Sequence, residues 1–290
     1  MPPESNCANR GEASAFDTHA HLDDERFKDD LEDVVRRAKA AGVAQILTVG
    51  TDIESSRRAI EIAKSHDGIC AAVGVHPHES GRFGEQEEKV LRELCASRAG
   101  VVALREPQGD PEHGRRVVAV GEMGLDYYRD YAPREAQIAA FRKQLQIAAD
   151  IGLPVIVHNR QAMADCLATM AEFKGRVRGV AHCFSGDIAA ARSFMNLGFL
   201  ISIAGPVTFP NSTDLQRLAA FVPDDFLLVE TDCPYLAPQP CRGKRNEPAF
   251  VRYTLQTLAS LRKVPTAGII EITTRNAKNL FLMRDQRRGT

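Results

Sequence analysis

The feature that most constrains the fold of this chain is a regular alternation of short apolar, β-branched runs with amphipathic stretches. Helical patterns such as FKDDLEDVVRRAKAAG and REAQIAAFRKQLQIAADIG separate the runs. The eight runs read, in order, AFDTHAHL, VAQILTVGT, ICAAVGVHP, VVAVGEMGLD, LPVIVHNR, RGVAHCFSG, FLISIAGPVTF and FLLVETDCPY. Strands that alternate with helices favour a parallel sheet covered by helices. Eight such repeats predict an α/β fold of the TIM type, a (β/α)₈ barrel.

The barrel is predicted as a single domain over residues 14–290, preceded by a flexible N-terminal tail of residues 1–13. A doubly wound open sheet is the structural alternative. It normally carries a glycine-rich phosphate loop after its first strand, and the segment DTHAHLDDE contains no glycine. Residues 104–116, LREPQGDPEHGRR, form an insertion rich in charge, proline and glycine before the fourth run.

Composition narrows the partners and the compartment. The formal net charge is −1 over 290 residues, so no global positive field exists to hold long nucleic acid, and any phosphate binding must be local. No apolar run approaches the roughly 20 residues that cross a bilayer, and the polar N-terminus lacks the apolar core of a signal peptide. Seven scattered cysteines without a C-x-x-C pair argue against a disulfide framework. We therefore expect a cytoplasmic protein without membrane contact and without an obligate protein partner.

Histidines and carboxylates stand at the carboxyl ends of the apolar runs, which meet at the one face of a barrel where active sites are built. Each histidine alone could be a hydrogen-bonded structural residue, but so many at one end of five strands indicate a metal site. His76 and His78 have the same spacing as His19 and His21, so spacing alone does not choose between the pairs. The candidate ligands are His19, His21, Glu122, His158, His182 and Asp232, with Glu230 two residues before Asp232.

The number of candidate ligands exceeds what one tetrahedral zinc ion takes. Two divalent ions that share a bridging group fit it better, and Glu122 is the natural bridge because each of its oxygens can bind one ion. A pair of ions about 3.5–4 Å apart can clamp a phosphoryl group and activate water. A ligand set of imidazole and carboxylate without thiolate suits Zn, Mn or Mg and does not decide among them.

Several segments, in order and spacing, resemble the signature segments of the TatD family of metal-dependent deoxyribonucleases, within the amidohydrolase-like barrels. The resemblance covers roughly residues 14–282. The segments are DTHAHLD, VGVHPHE, VGEMGLDYYRD, LPVIVHNR, AHCFSG, ETDCPYLAP and RGKRNEP. One departure is Cys241, which stands where close relatives often have a histidine, and which puts a substrate contact by that histidine in doubt.

The resemblance implies a barrel that hydrolyses DNA phosphodiester bonds with one or two divalent metal ions. By position, it assigns His19, His21 and Asp232 to one ion and His158 and His182 to the other, with Glu122 shared by both. It favours His19 and His21 over His76 and His78 as ligands and leaves the latter pair near the substrate.

Basic and aromatic residues near the strand ends are candidates for substrate binding. Arg160 shares a face with His158 and can reach a phosphate oxygen. Arg242 and Lys244 lie in a glycine-containing loop after the last strand, where a solvated surface is the alternative interpretation. Tyr127 and Tyr128 can stack a base, or simply pack.

We consider three functions. The leading hypothesis is a deoxyribonuclease in which Asp232 is both a ligand and the proton acceptor and Glu122 bridges the ions, with Glu230 as the alternative base. The second is a metal-dependent hydrolase of carboxyl esters or amides, such as an aminoacyl-tRNA deacylase, because the same activated water attacks a carbonyl carbon. The third, a non-catalytic binding barrel, is disfavoured by the complete ligand set.

Overall fold

The structure is a computed structural model that describes residues 14–96, 117–129 and 131–282. The predicted tail (residues 1–13) and the insertion (residues 104–116) lie outside the described residues. None of the helices within the described ranges is both long and apolar enough to span a bilayer.

Eight strands form one parallel sheet in which each strand pairs with the next along the chain. This order is that of the predicted barrel, and the prediction of a TIM-type (β/α)₈ fold is confirmed. The strands are β1 (Ala15–Ala20), β2 (Val43–Val49), β3 (Ile69–Val73), β4 (Val117–Asp126), β5 (Val155–Arg160), β6 (Gly179–Ala181), β7 (Phe199–Ile203) and β8 (Leu227–Val229).

Helices follow the strands and cover the outside of the sheet. The helix caps follow simple chemistry: the Asp52 side chain accepts a hydrogen bond from the Ser55 N–H at the start of the second helix, and Gly152 adopts a left-handed conformation after the fourth. The helices are α1 (Leu31–Ala40), α2 (Ile53–Ser65), α3 (Glu85–Ala96), α4 (Arg134–Ile151), α5 (Met163–Ala171), α6 (Ile188–Asn196), α7 (Thr213–Phe221), α8 (Val251–Arg262) and α9 (Thr266–Phe281).

The sheet closes between β1 and the segment that follows β8. The N–H of Asp232 donates to the carbonyl of His19 at 2.9 Å, and the N–H of His21 donates to the carbonyl of Cys233 at 2.7 Å. Ala20 and Cys233 form a parallel bridge. These contacts bring Asp232 beside the two histidines although the residues are more than 200 positions apart in the sequence.

Alternate residues of the strands fill the barrel interior. Phe16, Leu47, Ile156 and Leu228 belong to one buried cluster, and Phe281 of α9 packs against the Phe16 ring with centroids 6.3 Å apart. Because Phe16 lies near the start of β1, α9 covers the amino-terminal end of the barrel. The carboxyl-terminal end is therefore the end left for the polar residues.

Glycines in β4 let this strand approach β5 closely enough to place Glu122 beside His158. A Cβ atom at Gly121 would lie 2.7 Å from the Ile156 carbonyl oxygen, and one at Gly124 would meet the backbone of His158. Both residues have a positive φ, 142° and 135°. A side chain at either position would push the two strands apart.

Candidate metal centre

Glu122 lies at the middle of a cluster of imidazole rings, and its side chain is 4% exposed. Its Oε1 atom is 2.8 Å from His158 Nδ1, 2.8 Å from His182 Nε2 and 3.4 Å from His76 Nε2. Its Oε2 atom is 3.4 Å from His19 Nε2 and 3.7 Å from His21 Nε2. Each oxygen of this one carboxylate thus faces a different set of ring nitrogens.

The ring nitrogens that face Glu122 Oε2 come from β1 and the residue just after Ala20. Together with Asp232, which follows β8, they form what we call the β1/β8 half. His19 and His21 present their Nε2 atoms 3.2 Å apart. Asp232 Oδ1 lies 3.4 Å from His21 Nε2 and 3.8 Å from His19 Nε2. The backbone of Asp232 has a φ of 57°, an uncommon left-handed conformation for a residue other than glycine.

The second set comes from β5 and the segment after β6, and we call it the β5/β6 half. His158 Nδ1 and His182 Nε2 lie 3.3 Å apart, and both are 2.8 Å from the same Glu122 oxygen. The two halves touch, since the rings of His19 and His182 stack with their centroids 4.0 Å apart.

These separations fit ligand atoms gathered around metal ions. Two ligand atoms about 2.1 Å from one tetrahedral ion lie about 3.4 Å apart. The nitrogen–nitrogen distances within the two halves are 3.2 and 3.3 Å, and the nitrogen–oxygen distances in the β1/β8 half run from 3.4 to 3.8 Å. Imidazole and carboxylate donors are also the chemistry that Zn²⁺ and Mn²⁺ accept. The cluster contains groups of histidine and carboxylate atoms, all within 4.8 Å of one another, that could hold a metal ion.

Hydrogen bonds on the far side of three histidines fix which ring nitrogen faces the centre. The Nδ1 atom of His21 is 2.9 Å from the carbonyl oxygen of Val49, an acceptor only, so in the neutral ring Nδ1 carries the proton and Nε2 keeps its lone pair. Carboxylates play the same part for His182 Nδ1, 3.3 Å from Glu230 Oε1, and for His158 Nε2, 3.2 Å from Asp126 Oδ2. Each inward-facing nitrogen is therefore able to bind a cation.

His76 has the reverse arrangement. Its Nδ1 accepts the backbone N–H of His78 at 3.1 Å, so in the neutral ring the proton sits on Nε2, the atom that faces Glu122. Burial lowers the pKa of His76 to about 4, which keeps the ring neutral. His76 thus lies inside the cluster, with its Nε2 atom 3.4 Å from Glu122 Oε1.

The electrostatics of the cluster favour cation binding. Burial alone would raise the pKa of the Glu122 carboxyl, but the rings of His182, His76 and His158 outweigh burial and hold that pKa well below its usual range. Burial opposes the charged form of His182, yet Glu122 and Glu230 raise its pKa well above the ordinary value. A buried carboxylate is costly unless cations meet it, and here only protonated rings or metal ions can do so.

Comparison with known proteins identifies the family. Residues 16–282 match the family described as TatD related DNase. The chain belongs to this family. The resemblance stated from the motifs, and with it the class of metal-dependent hydrolase, is confirmed.

Relatives of this TatD-related chain match it over nearly their full length. The "Uncharacterized metal-dependent hydrolase YabD" of Bacillus subtilis is 41% identical over 92% of this chain and 98% of the relative. The "3'-5' ssDNA/RNA exonuclease TatD" of Cronobacter sakazakii is 34% identical over 92% of this chain and 97% of the relative. The crystal structure of YjjV, a TatD homologue from Escherichia coli K12, has a TM-score of 0.84 at 29% identity, and the match covers 94% of this chain and 100% of that one.

Two carboxylates of this TatD-related site contact the outer nitrogens of His158 and His182, which the sequence analysis did not predict. Asp126, at the end of β4, holds His158 and also lies 3.0 Å from His78 Nε2. The available signal was its position four residues after Glu122, on the same face of the strand. Glu230 was predicted as an alternative base, but its side chain is 1% exposed and its Oε1 accepts the N–H of Cys183 while it faces His182. These two contacts hold Glu230 Oε1 against the segment that follows β6.

The three basic residues predicted to bind substrate lie in two different places. Arg160 stacks over the ring of Tyr128, with its guanidinium carbon 4.0 Å from the centroid, at the end of β5. Arg242 and Lys244 are exposed, and Arg242 lines a separate cavity of about 400 Å³ with Phe209 and neighbouring residues rather than the metal cluster.

Two neighbours of these residues have structural roles. Arg245 makes two hydrogen bonds of 2.7 Å to the Asp30 carboxylate and belongs to the framework of the loop. Tyr127 donates its hydroxyl to Asp165 at 2.7 Å, which indicates packing rather than base stacking. Cys241, at the position of the family's frequent histidine, is buried.

Proposed function

We propose that this TatD-related chain is a nuclease that hydrolyses DNA phosphodiester bonds at a centre of two divalent metal ions. The observation that carries the proposal is the division of the Glu122 carboxylate, whose two oxygens face two separate sets of ring nitrogens. The name of the Cronobacter relative supports nucleic acid as the substrate class. We also propose that the protein is cytoplasmic, as its sequence predicts.

In the proposed site, His19, His21 and Asp232 hold one ion, His158 and His182 hold the other, and Glu122 binds both. When bound, the two ions would polarise the phosphoryl group and lower the pKa of water. The choice among Zn²⁺, Mn²⁺ and Mg²⁺ belongs to the experiment, although the four histidines favour Zn²⁺ or Mn²⁺ over Mg²⁺.

Asp232 is the best placed proton acceptor. Its side chain is 13% exposed, whereas those of Glu122 and Glu230 are 4% and 1% exposed. Its Oδ1 atom faces His21, which leaves the second oxygen to accept a proton from the attacking water. His76 donates its Nε2 proton toward the centre, where it stabilises negative charge.

The test is a substrate comparison with metal-stripped protein reconstituted separately with Zn²⁺, Mn²⁺ and Mg²⁺. Labelled single-stranded DNA, single-stranded RNA, duplex DNA and aminoacyl-tRNA are offered to the wild type, to Glu122→Gln and to Glu93→Gln, an exposed glutamate on α3 that serves as the matched control. We expect strand cleavage by the wild type and by the control and none by Glu122→Gln. Release of the amino acid without strand cleavage would replace the nuclease by an ester hydrolase.

A further inference from the structure

Exposed aromatic side chains collect in two loops at the metal end of the barrel. Six large apolar side chains are exposed among the described residues, and four of these follow β4 or β8. They are Tyr128 (52% exposed), Tyr131 (66%), Tyr235 (47%) and Leu236 (40%). Exposed apolar groups that cluster beside a polar site indicate a binding surface.

The two loops lie on opposite sides of the metal centre. In a barrel with the strand order β1 to β8, strands β4 and β8 are separated by half the circumference. Glu122 belongs to β4, and Asp232 follows β8. The centre is therefore flanked by Tyr128 and Tyr131, which we call the β4 platform, and by Tyr235, the β8 platform.

Each platform contacts one histidine at the metal end of the barrel. The Tyr131 ring is 4.8 Å from the ring of His78, which hydrogen-bonds Asp126, the partner of His158. On the other side, the Tyr235 ring meets the ring of His21 edge-on at 6.0 Å. A group that occupies the metal centre thus has an aromatic surface on both sides.

An arginine stacks on a tyrosine of each platform. Arg160 lies over Tyr128 at 4.0 Å from the centroid, and Arg26 lies over Tyr235 at 4.3 Å. Arg26 is held by a 2.7 Å ion pair with Asp24, and the Tyr235 hydroxyl donates to the same carboxylate at 3.3 Å. The β8 platform is thereby fixed in place before any ligand binds, which lowers the entropic cost of binding.

We propose that the two platforms bind the unpaired bases on either side of the phosphodiester that is cleaved. This inference rests on the proposed nuclease function. A net charge of −1 denies the protein a long-range attraction for phosphates, so local contacts must supply affinity. Bases of a single strand can turn outward to stack on aromatic rings and guanidinium planes, whereas the bases of a duplex are already stacked and paired.

A binding experiment tests the platforms without hydrolysis. The metal-loaded protein is titrated by fluorescence anisotropy with a labelled oligothymidylate whose phosphorothioate linkages resist cleavage, and with a duplex of equal length. We expect Tyr131→Ala and Tyr235→Ala each to weaken single-strand binding by roughly 5- to 150-fold, the loss of one stacked base. Tyr131→Phe keeps the ring and should bind like the wild type, as should Val264→Ala, an exposed residue between α8 and α9. Tyr235→Phe keeps the ring but loses the hydroxyl bond to Asp24, so it should weaken binding less than Tyr235→Ala.

Circular dichroism and thermal unfolding confirm that the alanine variants are folded. Wild-type affinity in both folded alanine variants, or equal affinity of the wild type for duplex and single strand, would overturn the inference.

A cleavage experiment assigns each platform to one side of the bond. Strands with one abasic nucleotide on the 5′ or the 3′ side of a mapped cleavage position should raise the KM of the wild type. Tyr131→Ala should lose its discrimination against the abasic nucleotide on one side, and Tyr235→Ala should lose it on the other.

If the variants cleave strands with wild-type KM and wild-type discrimination, the base-binding role of the platforms is wrong and the nuclease function stands. If the binding pattern holds while the wild type cleaves no strand with any metal, the nuclease function fails and the platforms stand.

Discussion

The two halves of the candidate metal centre place their negative charge differently. The β1/β8 half has a carboxylate inside the ligand set, because Asp232 lies 3.4 Å from His21. Its second histidine is held by the neutral carbonyl of Val49, and the Nδ1 atom of His19 is buried without a hydrogen-bond partner. In the β5/β6 half, the carboxylate that lies 2.8 Å from both inward-facing nitrogens is the shared Glu122.

In the β5/β6 half, two carboxylates lie on the side of the ligand histidines that faces away from the centre. Asp126 and Glu230 hydrogen-bond the outer nitrogens of His158 and His182. A carboxylate behind an imidazole makes the ring a more basic ligand and fixes its orientation. We infer that the β5/β6 half binds its ion more tightly, and that the β1/β8 half keeps an oxygen of Asp232 available for proton transfer.

The largest expected effect comes from removing the group that both halves share. Glu122→Ala should lower kcat/KM by more than the roughly 10⁴-fold that general acid–base catalysis contributes, because binding in both halves is lost. Elemental analysis should find less bound metal than in the wild type. Full occupancy in this variant would show that Glu122 is not a ligand and that the two halves are independent.

Asp232→Asn isolates the β1/β8 half. The amide keeps the shape and one oxygen ligand but removes the basic oxygen, so we expect turnover to fall by about 10²- to 10⁴-fold while metal and DNA are still bound. Excess metal should not restore the rate. Rescue by metal would make Asp232 a ligand only and would remove the proposed difference between the halves.

Asp126→Asn tests the β5/β6 half, since His158 is the ligand histidine whose outer nitrogen Asp126 contacts. The same carboxylate also contacts His78 Nε2. Loss of such a partner typically weakens metal binding by about 10- to 100-fold. Competition with a chelator should detect one ion that is bound more weakly and one that is bound with unchanged affinity. Added metal should recover most of the activity. Asp165→Asn, at the carboxylate that receives the Tyr127 hydroxyl, is the matched control. An equal loss of both ions would contradict the separation of the two halves.

Sequence patterns predict the barrel and the end of it that carries the ligands, but not how the two halves differ. The eight apolar runs are enough to predict the barrel, and the polar residues at their ends are enough to predict that the ligands converge. Strand alternation does not reach Glu230 and Asp232, because β8 ends at Val229 and the chain then turns through a left-handed Asp232.

The difference between His76 and the ligand histidines also lies beyond sequence patterns. It depends on a backbone N–H that reaches Nδ1 of His76. Equal spacing of the two His-x-His pairs does not reveal which ring nitrogen carries the proton. Hydrogen bonds between distant segments decide it.

The smallest expected effect concerns the basic residues outside each half. Arg160 follows His158 by two residues and stacks over Tyr128, whereas Arg242 and Lys244 lie in the loop after β8 and Arg242 lines a separate cavity.

An exposed ion contact contributes only about 0.2–1 kcal/mol, which corresponds to roughly 1.5- to 5-fold in affinity. We therefore expect Arg242→Ala and Lys244→Ala to raise KM within that range and to leave kcat unchanged, as phosphate-positioning groups do. Arg160→Ala should raise KM more, because Arg160 ends the strand that carries His158 and its guanidinium also supports the Tyr128 ring. Steady-state kinetics at two salt concentrations separates these effects, since added salt should diminish the contribution of Arg242 and Lys244 more than that of Arg160. Unchanged KM in both loop variants would assign that loop to the solvated surface and leave Arg160 as the basic contact beside the centre.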